Sequence, residues 1–386
     1  MPERWVLTDV AKDVGLREFE APAADLPRGC GLKLRTHSGG LRDGVQTLEM
    51  IAGDYRVTII PTRGMGIWRI ESAAGRLGWN SPVKGGPVHP AYVPVEKPDG
   101  LGWLVGIDEL LVRCGLESNG APEFDDSGRL RYPLHGRIAN RPAHKLRCGF
   151  DPATKELVVR GEVDDTRLFF QKARLSVEYR VPAAGGTIRI VDEIENLAGT
   201  PTTVQMLYHV NFGPPLCAPG ARVSLPVAQV SPRNSHAAKD IGHWDVYPPP
   251  AAGFVEQVYF FEAAAAEDGR TLAVLRSPDG NRGVCLRWSK RQLGCFTLWK
   301  SPEAEVDGYV TGLEPGTNYP NPRSYEREHG RHVELAPGAR HRMELELTAL
   351  AGREQVAAVE TEVAKLQRTP VIHAKPKESW SQPEKK

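Results

Sequence analysis

Ala173-Arg174-Leu175-Ser176-Val177-Glu178-Tyr179-Arg180-Val181 alternates apolar and polar residues over its whole length. A period of two puts Ala173, Leu175, Val177, Tyr179 and Val181 on one face and the charged and polar residues on the other. That is the pattern of a half-buried antiparallel strand. Gly185-Gly186 turns the chain, Ile188, Ile190 and Ile194 continue the alternation on a second strand, and Asn196 to Pro201 supplies another set of turn residues. Thr202 to His209 is expected to be the third strand of this meander, with Val204, Met206 and Tyr208 on one face and Gln205, Leu207 and His209 on the other. His209 would then close the strand at its mouth.

The same hairpin grammar recurs at Leu272 to Leu275, Pro278-Asp279-Gly280 and Val284 to Trp288. It returns at His332 to Leu335, Pro337-Gly338 and Met343 to Leu347. Repeated hairpins without the spacing of strand-helix-strand units predict an all-β sandwich of antiparallel sheets. Helical spacing is confined mainly to the C-terminal part, where Val356, Val359, Val363 and Leu366 recur every three or four residues between charges. This predicts one amphipathic helix over 351–369, packed on the body or on a partner, the latter giving a homodimer. The expected organisation is an N-terminal extension over 1–40, one β-sandwich domain over 41–350, that helix, and a disordered tail over 370–386, where apolar content is low.

Composition narrows the function. The chain has 386 residues, 40% hydrophobic and 25% charged, enough to bury a full core in one large domain. With 49 Lys and Arg against 48 Asp and Glu the net charge is +1, so no long-range field selects nucleic acid or an anionic membrane. A small, neutral or modestly charged ligand fits better. The six cysteines show no CxxC spacing, which argues against a disulfide framework or a zinc site. The first residues lack the apolar core of a signal peptide, and no apolar run is long enough to span a bilayer, so a cytoplasmic protein is expected.

Five polar constellations carry candidate chemistry. Glu314 lies in Val310-Thr311-Gly312-Leu313-Glu314-Pro315-Gly316, ahead of the stiff Thr317-Asn318-Tyr319-Pro320-Asn321-Pro322. It is expected where a strand gives way to a rigid turn, held still enough to act as a base. His135 and Arg137 flank a glycine in Leu134-His135-Gly136-Arg137-Ile138. His209 is followed by Val210-Asn211-Phe212-Gly213. For each histidine taken alone, a packed, satisfied imidazole is an equal reading. Arg63 sits in the Gly-flanked bend Pro61-Thr62-Arg63-Gly64-Met65-Gly66, where its planar fork suits a carboxylate partner or sugar hydroxyls. Lys300 follows Trp299, and a lysine after an apolar strand usually reaches to solvent. No phosphate-cradling glycine loop and no GxSxG elbow occurs. The histidines and the glutamate lack HxH or HExxH spacing, so no metal is expected.

In order, Leu134-His135-Gly136, Tyr208-His209-Val210-Asn211-Phe212 and Gly312-Leu313-Glu314-Pro315 resemble three landmarks of the aldose 1-epimerase (galactose mutarotase-like) superfamily, over about residues 40 to 350. The Pro-Thr-Arg-Gly-Met-Gly and Leu-His-Gly-Arg-Ile runs are similar to a poorly characterised branch of it. The Asn-Arg pair that mainstream members place before the first histidine is not evident, and Asp245 of His243-Trp244-Asp245 stands as the counterpart of their sugar-binding aspartate.

The resemblance implies a β-supersandwich with a ligand cleft on one sheet, and an isomerase that interconverts the anomers of a free sugar. In that chemistry a base takes the C1 hydroxyl proton while an acid protonates the ring oxygen, and rotation about C1–C2 precedes reclosure. By the same resemblance Glu314 is the base and His209 the acid, and His135 binds near the ring oxygen. Arg63, Arg137, Lys300 and Asn211 are expected substrate contacts. No cofactor is implied, because side chains and water supply acid, base and proton reservoir. Two alternatives stay open: a sugar-binding protein without turnover, and a lyase or isomerase acting on a uronic or keto sugar, which needs an arginine to neutralise a carboxylate.

Overall fold

The computed structural model describes residues 4–383, and among them the chain forms a ten-stranded and a fourteen-stranded sheet, almost wholly antiparallel. The Lys172–Pro182 strand alternates buried and half-buried residues along its length, as its sequence predicts, and pairs with Ile188–Asn196. The Arg270–Arg276 and Arg282–Ser289 strands form the expected hairpin in the same ten-stranded sheet. Leu175, Val177, Tyr179, Ile190 and Leu345 from this sheet pack on Leu48, Val57, Ile67, Tyr208 and Leu313 from the other, so the core lies between the sheets.

The third strand departs from the expected meander. Thr202–Phe212 leaves the ten-stranded sheet and enters the larger one between Leu111–Leu116 and Val310–Gly316. From Val204 onward it is buried on both faces, which a central strand with material on either side requires and a meander edge does not. The place beside Ile188–Asn196 is taken by Arg340–Ala351. The expected hairpin of 332–335 with 343–347 is likewise a corner: Val333–Leu335 pairs with Thr202–Val204, while Arg340–Ala351 lies in the other sheet.

Both ends of the chain are woven in. Trp5–Asp9, within the expected extension, pairs with Lys145–Asp151, and Cys30–Thr36 pairs with Gln46–Ala52 in the larger sheet. The helix spans Arg353–Leu366 and buries Val356, Val359 and Val363 on Leu272, Val274, Cys285 and Leu350 of its own chain. The expected tail is ordered through residue 383. Val371–Ile372 adds a parallel strand to Val227–Pro232, and Trp380 packs against Tyr319 with ring centroids 5.2 Å apart. Residues 384–386 lie outside the described part.

A buried ion pair ties the sheets together behind the site. Arg113, from Leu111–Leu116, donates to Asp192 of the smaller sheet at 2.5 and 2.9 Å, and the Tyr208 hydroxyl donates to the same carboxylate at 2.8 Å. Both charges are fully buried, and their hydrogen bonds offset the desolvation that would otherwise expel them. No described helix is long and apolar enough to cross a membrane, and all six cysteines are free thiols.

Candidate active site

Strand parity decides which side chains meet. Along Thr202–Phe212 the residues Val204, Met206, Tyr208 and Val210 face the core, so Gln205, Leu207, His209 and Asn211 face the opposite side of the sheet. On Val310–Gly316, Leu313 faces the core and Glu314 the other side, level with Thr297 on the neighbouring Cys295–Ser301 strand. Glu314 is thus in mid-strand rather than at a strand end, and the pleat gives it its direction. Gly312 lies across from Asn211, and a Cβ there would come within 2.3 Å of Glu314 Oε1 and 3.2 Å of His209 Cε1. The glycine makes room for the pair.

His209 Nε2 stands 3.2 Å from Glu314 Oε1 at the floor of a cavity of about 460 Å³. Asn211 spends its amide N–H on the Glu109 carbonyl at 3.0 Å, so its Oδ1 faces the imidazole, 2.6 Å from Nδ1. Nδ1 must therefore carry the hydrogen, which leaves Nε2 of the neutral ring as an acceptor aimed at the cavity. His135 lies on the same side with its ring 5.4 Å from that of His209, and its Nδ1 donates to the Asn119 carbonyl at 2.8 Å. Its backbone is left-handed, with φ 57°, and Gly136 follows at φ 71° where a Cβ would strike the Gly115 carbonyl at 2.2 Å. A strained backbone held by surrounding hydrogen bonds is common where a side chain must be aimed.

Burial dominates the electrostatics. It pushes the Glu314 carboxyl well above the usual carboxylate range, with the Glu256 carboxylate adding to the effect and Arg233 opposing it. It pulls His209 down to about 3, helped by His135, and His135 down to about 4. Burial thus favours the uncharged form of both the carboxyl and the imidazole at the floor. Glu314 Oε1, Thr297 Oγ1 and Trp103 Nε1 are buried there without a hydrogen-bond partner, which marks them as groups a polar ligand would satisfy.

The other expected contacts fall elsewhere. Arg63 is buried and holds the Glu109 carboxylate, Asn140 Oδ1 at 2.8 Å and the Gly106 and Val88 carbonyls at 3.0 and 3.1 Å. Each of its three nitrogens is engaged away from the cavity, so it acts as a clamp on the loops that wall the cleft rather than as a substrate contact. Arg137 is committed to Glu96 and Glu117 and does not line the cavity. Lys300 shares the core-facing side of its strand with Phe296 and Leu298, and donates to the His243 and Val246 carbonyls at 3.0 and 2.8 Å, its ammonium lying over Tyr247. It reaches neither solvent nor the cleft. Asn211 sets the tautomer of His209 without lining the cavity. Asp245 pairs with Arg222 at 2.9 Å, also away from it.

Sequence reasoning missed Trp79, Trp103, Thr297, Arg233 and Glu256, all of which line the cleft, and passed over Trp299. The Trp103 ring lies 4.5 Å from His135 and 5.6 Å from His209, and Trp299 lies 5.3 Å from His209. Arg233 donates to Glu256 at 2.7 Å, and Glu256 also accepts from Trp299 Nε1 at 2.7 Å. Parity offered one signal: Phe296 and Leu298 are core residues, so Thr297 and Trp299 must face outward with Glu314. The loop residues carry no periodicity and left none. Among the described residues no group of three or more His, Cys, Asp or Glu side chains is placed to hold a metal ion.

Two packed antiparallel sheets with a His/His/Glu floor on the outer face of one define a galactose mutarotase-like β-supersandwich. A protein from Klebsiella pneumoniae, named provisionally as an aldose 1-epimerase, is 34% identical over 96% of this chain and 97% of its own, with a TM-score of 0.92. A galactose mutarotase-like protein from Clostridium acetobutylicum (15% identity, 83% and 99% covered, TM-score 0.56) shares the fold. So does a galactose 1-epimerase from Lactobacillus acidophilus (10% identity, 83% and 99% covered, TM-score 0.54). No curated protein matches the chain significantly. Residues 42–349 match the family described as a domain of unknown function, DUF4432. The chain belongs to that family, within the aldose 1-epimerase (galactose mutarotase-like) superfamily.

Proposed function

We propose that the protein is an aldose 1-epimerase-like isomerase that interconverts the anomers of a free sugar by acid-base ring opening. The observation that carries this reading is the Glu314–His209 pair, 3.2 Å apart with pKa values displaced in opposite directions. Two titratable groups pushed apart by their surroundings can serve as acid and base in one step. The resting protonation inverts the roles expected from sequence. Glu314 holds the transferable proton and gives it to the ring oxygen as the C1–O5 bond breaks. His209 Nε2 takes the proton from O1 as the C1=O1 bond forms. The open aldehyde then faces a carboxylate and an imidazolium that stabilise each other. After rotation about C1–C2, Glu314 acts as base toward the O5 hydroxyl and His209 as acid toward O1, so each group then has the acid or base character first expected, but at the opposite oxygen.

Against the uronate lyase reading stand the positions of the arginines. Arg63 and Arg137 are engaged away from the cleft, and Arg233, which does line it, is already paired with Glu256. Polarimetry of freshly dissolved α-anomers of a panel of aldoses and uronates tests the proposal. Catalysed relaxation of at least one aldose, with no unsaturated product absorbing in the ultraviolet, is expected. An unsaturated uronate product would overturn it.

A further inference from the structure

The larger sheet carries a second groove, of about 730 Å³, over the strands Cys30–Thr36, Gln46–Ala52, Tyr55–Ile60 and Gly66–Ser72. Leu32, Leu34, Leu48, Val57 and Ile59 of these strands face the core, so Lys33, Arg35, Thr47, Glu49 and Thr58 project from the other side. The pairing register sets Lys33, Glu49, Thr58 and Arg69 in one row across the four strands. A bulge beside Thr58 inserts one extra residue between the core residues Ile67 and Ile70, so that Trp68 and Arg69 both line the groove. Bulges re-aim side chains in this way beside functional sites.

Two polar atoms on paired residues of that row lack a hydrogen-bond partner. Thr58 is 2% exposed with its Oγ1 unsatisfied, and the buried Nε of Arg69 stands 3.4 Å from Glu71 Oε1 without a hydrogen bond. The Arg69 guanidinium lies over the Trp68 ring, 4.4 Å from its centroid, and the Trp68 indole N–H is anchored on Asp108 at 2.9 Å. The charges around the groove are unevenly paired. Lys33 holds Glu20 at 2.8 Å and Arg56 holds Glu49 at 2.9 Å, whereas Arg35 enters no ion pair among the described residues. The remaining carboxylate of the lining, Glu18, is exposed to solvent. His37 reports the balance inside: its Nε2 meets Thr47 Oγ1 at 2.9 Å, and Arg42, Arg35 and Arg69 add to burial in lowering its pKa, with Glu49 opposing them.

We propose that this groove binds the phosphoryl group of a small phosphomonoester between Arg35, Thr58 and Arg69, apart from the cleft at Glu314. A phosphoryl group brings three strong acceptor oxygens and about 1.5 to 2 negative charges, which suits two guanidinium groups and a hydroxyl arriving from three strands. A carboxylate has two oxygens in one plane and is saturated by a single guanidinium fork. The groove is several times larger than an inorganic anion, so the phosphoryl group comes on an organic body. NMR titration in about 0.15 M salt, where diffuse attraction is screened, tests the proposal with glycerol 3-phosphate, inorganic phosphate, glycerate and glycerol. Glycerol 3-phosphate is expected to bind tightest, and its saturation should raise the pKa of His37, assigned with His37→Gln, because its charge offsets those of Arg35 and Arg69. Arg35→Met, at an exposed position, should weaken that binding about tenfold or more, and the isosteric Thr58→Val about fivefold or more, while Glu314→Gln leaves it unchanged. The assignment is overturned by no binding of glycerol 3-phosphate, by equal binding of inorganic phosphate or glycerate, or by a His37 pKa that does not rise. Binding that survives either Arg35→Met or Thr58→Val, or that is lost in Glu314→Gln, overturns it equally. None of these outcomes bears on anomer exchange at the cleft.

Discussion

Asn211 shows how much one amide decides. Its N–H is bound to the Glu109 carbonyl and its oxygen to His209 Nδ1, so Nε2 is the nitrogen left bare and aimed at Glu314. Glu109 in turn is held by Arg63, so the Pro-Thr-Arg-Gly-Met-Gly run reaches the site through a chain of contacts rather than through a ligand. Asn211→Ala is expected to lower kcat by about ten- to a hundredfold with a much smaller change in KM, because the ring loses its tautomer lock while the walls of the cleft stay in place. Steady-state polarimetry on the preferred sugar checks it, and a change confined to KM would contradict the positioning role. The motif around His209 was legible in the sequence because His, Asn and an aromatic recur there together. The direction of Arg63 was not legible, since an arginine in a glycine-flanked bend reads the same whether it points to a ligand or to a buried glutamate.

At the scale of elements, period two carried Lys172–Pro182, which is buried on one face so that the pattern survives, whereas the hairpin of 270–289, covered on its second face by the C-terminal helix, was legible from its Pro278-Asp279-Gly280 turn. It failed at Thr202–Phe212, where both faces are buried and nothing in the pattern says which sheet the strand joins. It failed also in the tail, whose low apolar content hides one anchor. Trp380 is buried against Tyr319, its carbonyl accepts from Asn321 at 2.9 Å, and the Lys377 ammonium lies 4.1 Å from its ring centroid. Trp380→Ala is expected to weaken docking of the tail by about 3 kcal/mol. The open fraction then rises roughly a hundredfold, and limited tryptic cleavage after Lys377 accelerates in proportion. An unchanged cleavage rate would show that the strand at Val371–Ile372 holds the tail without the tryptophan.

For the molecule as a whole, a site built from neutral buried groups makes stability depend on pH. His135 and His209 titrate near 6.5 when unfolded and at about 4 and 3 when folded. Between those values the unfolded chain binds more protons, so these groups favour the fold above pH 6.5 and lose that contribution as pH falls. Glu314 has the opposite sign: its raised folded pKa means that the fold loses stability as pH rises above the ordinary carboxylate value. The stability of Glu314→Gln relative to the native chain should therefore grow as pH rises above that value, by at most about 1.4 kcal/mol per pH unit, and denaturant unfolding at pH 5 and pH 7 reads it. A difference that does not change with pH would place an ionised carboxylate at the floor. The central claim, that Glu314 and His209 exchange protons with a ring-opening sugar, is tested most directly by two-dimensional NMR exchange between the anomers of the preferred sugar at equilibrium. Native protein, Glu314→Gln and His209→Asn are compared at saturating, calorimetrically verified occupancy. Exchange cross-peaks from the native protein, reduced by roughly 10²-fold or more in each variant while the sugar still binds, are the predicted result; native exchange no faster than that of the free sugar, or undiminished exchange in Glu314→Gln, would contradict it.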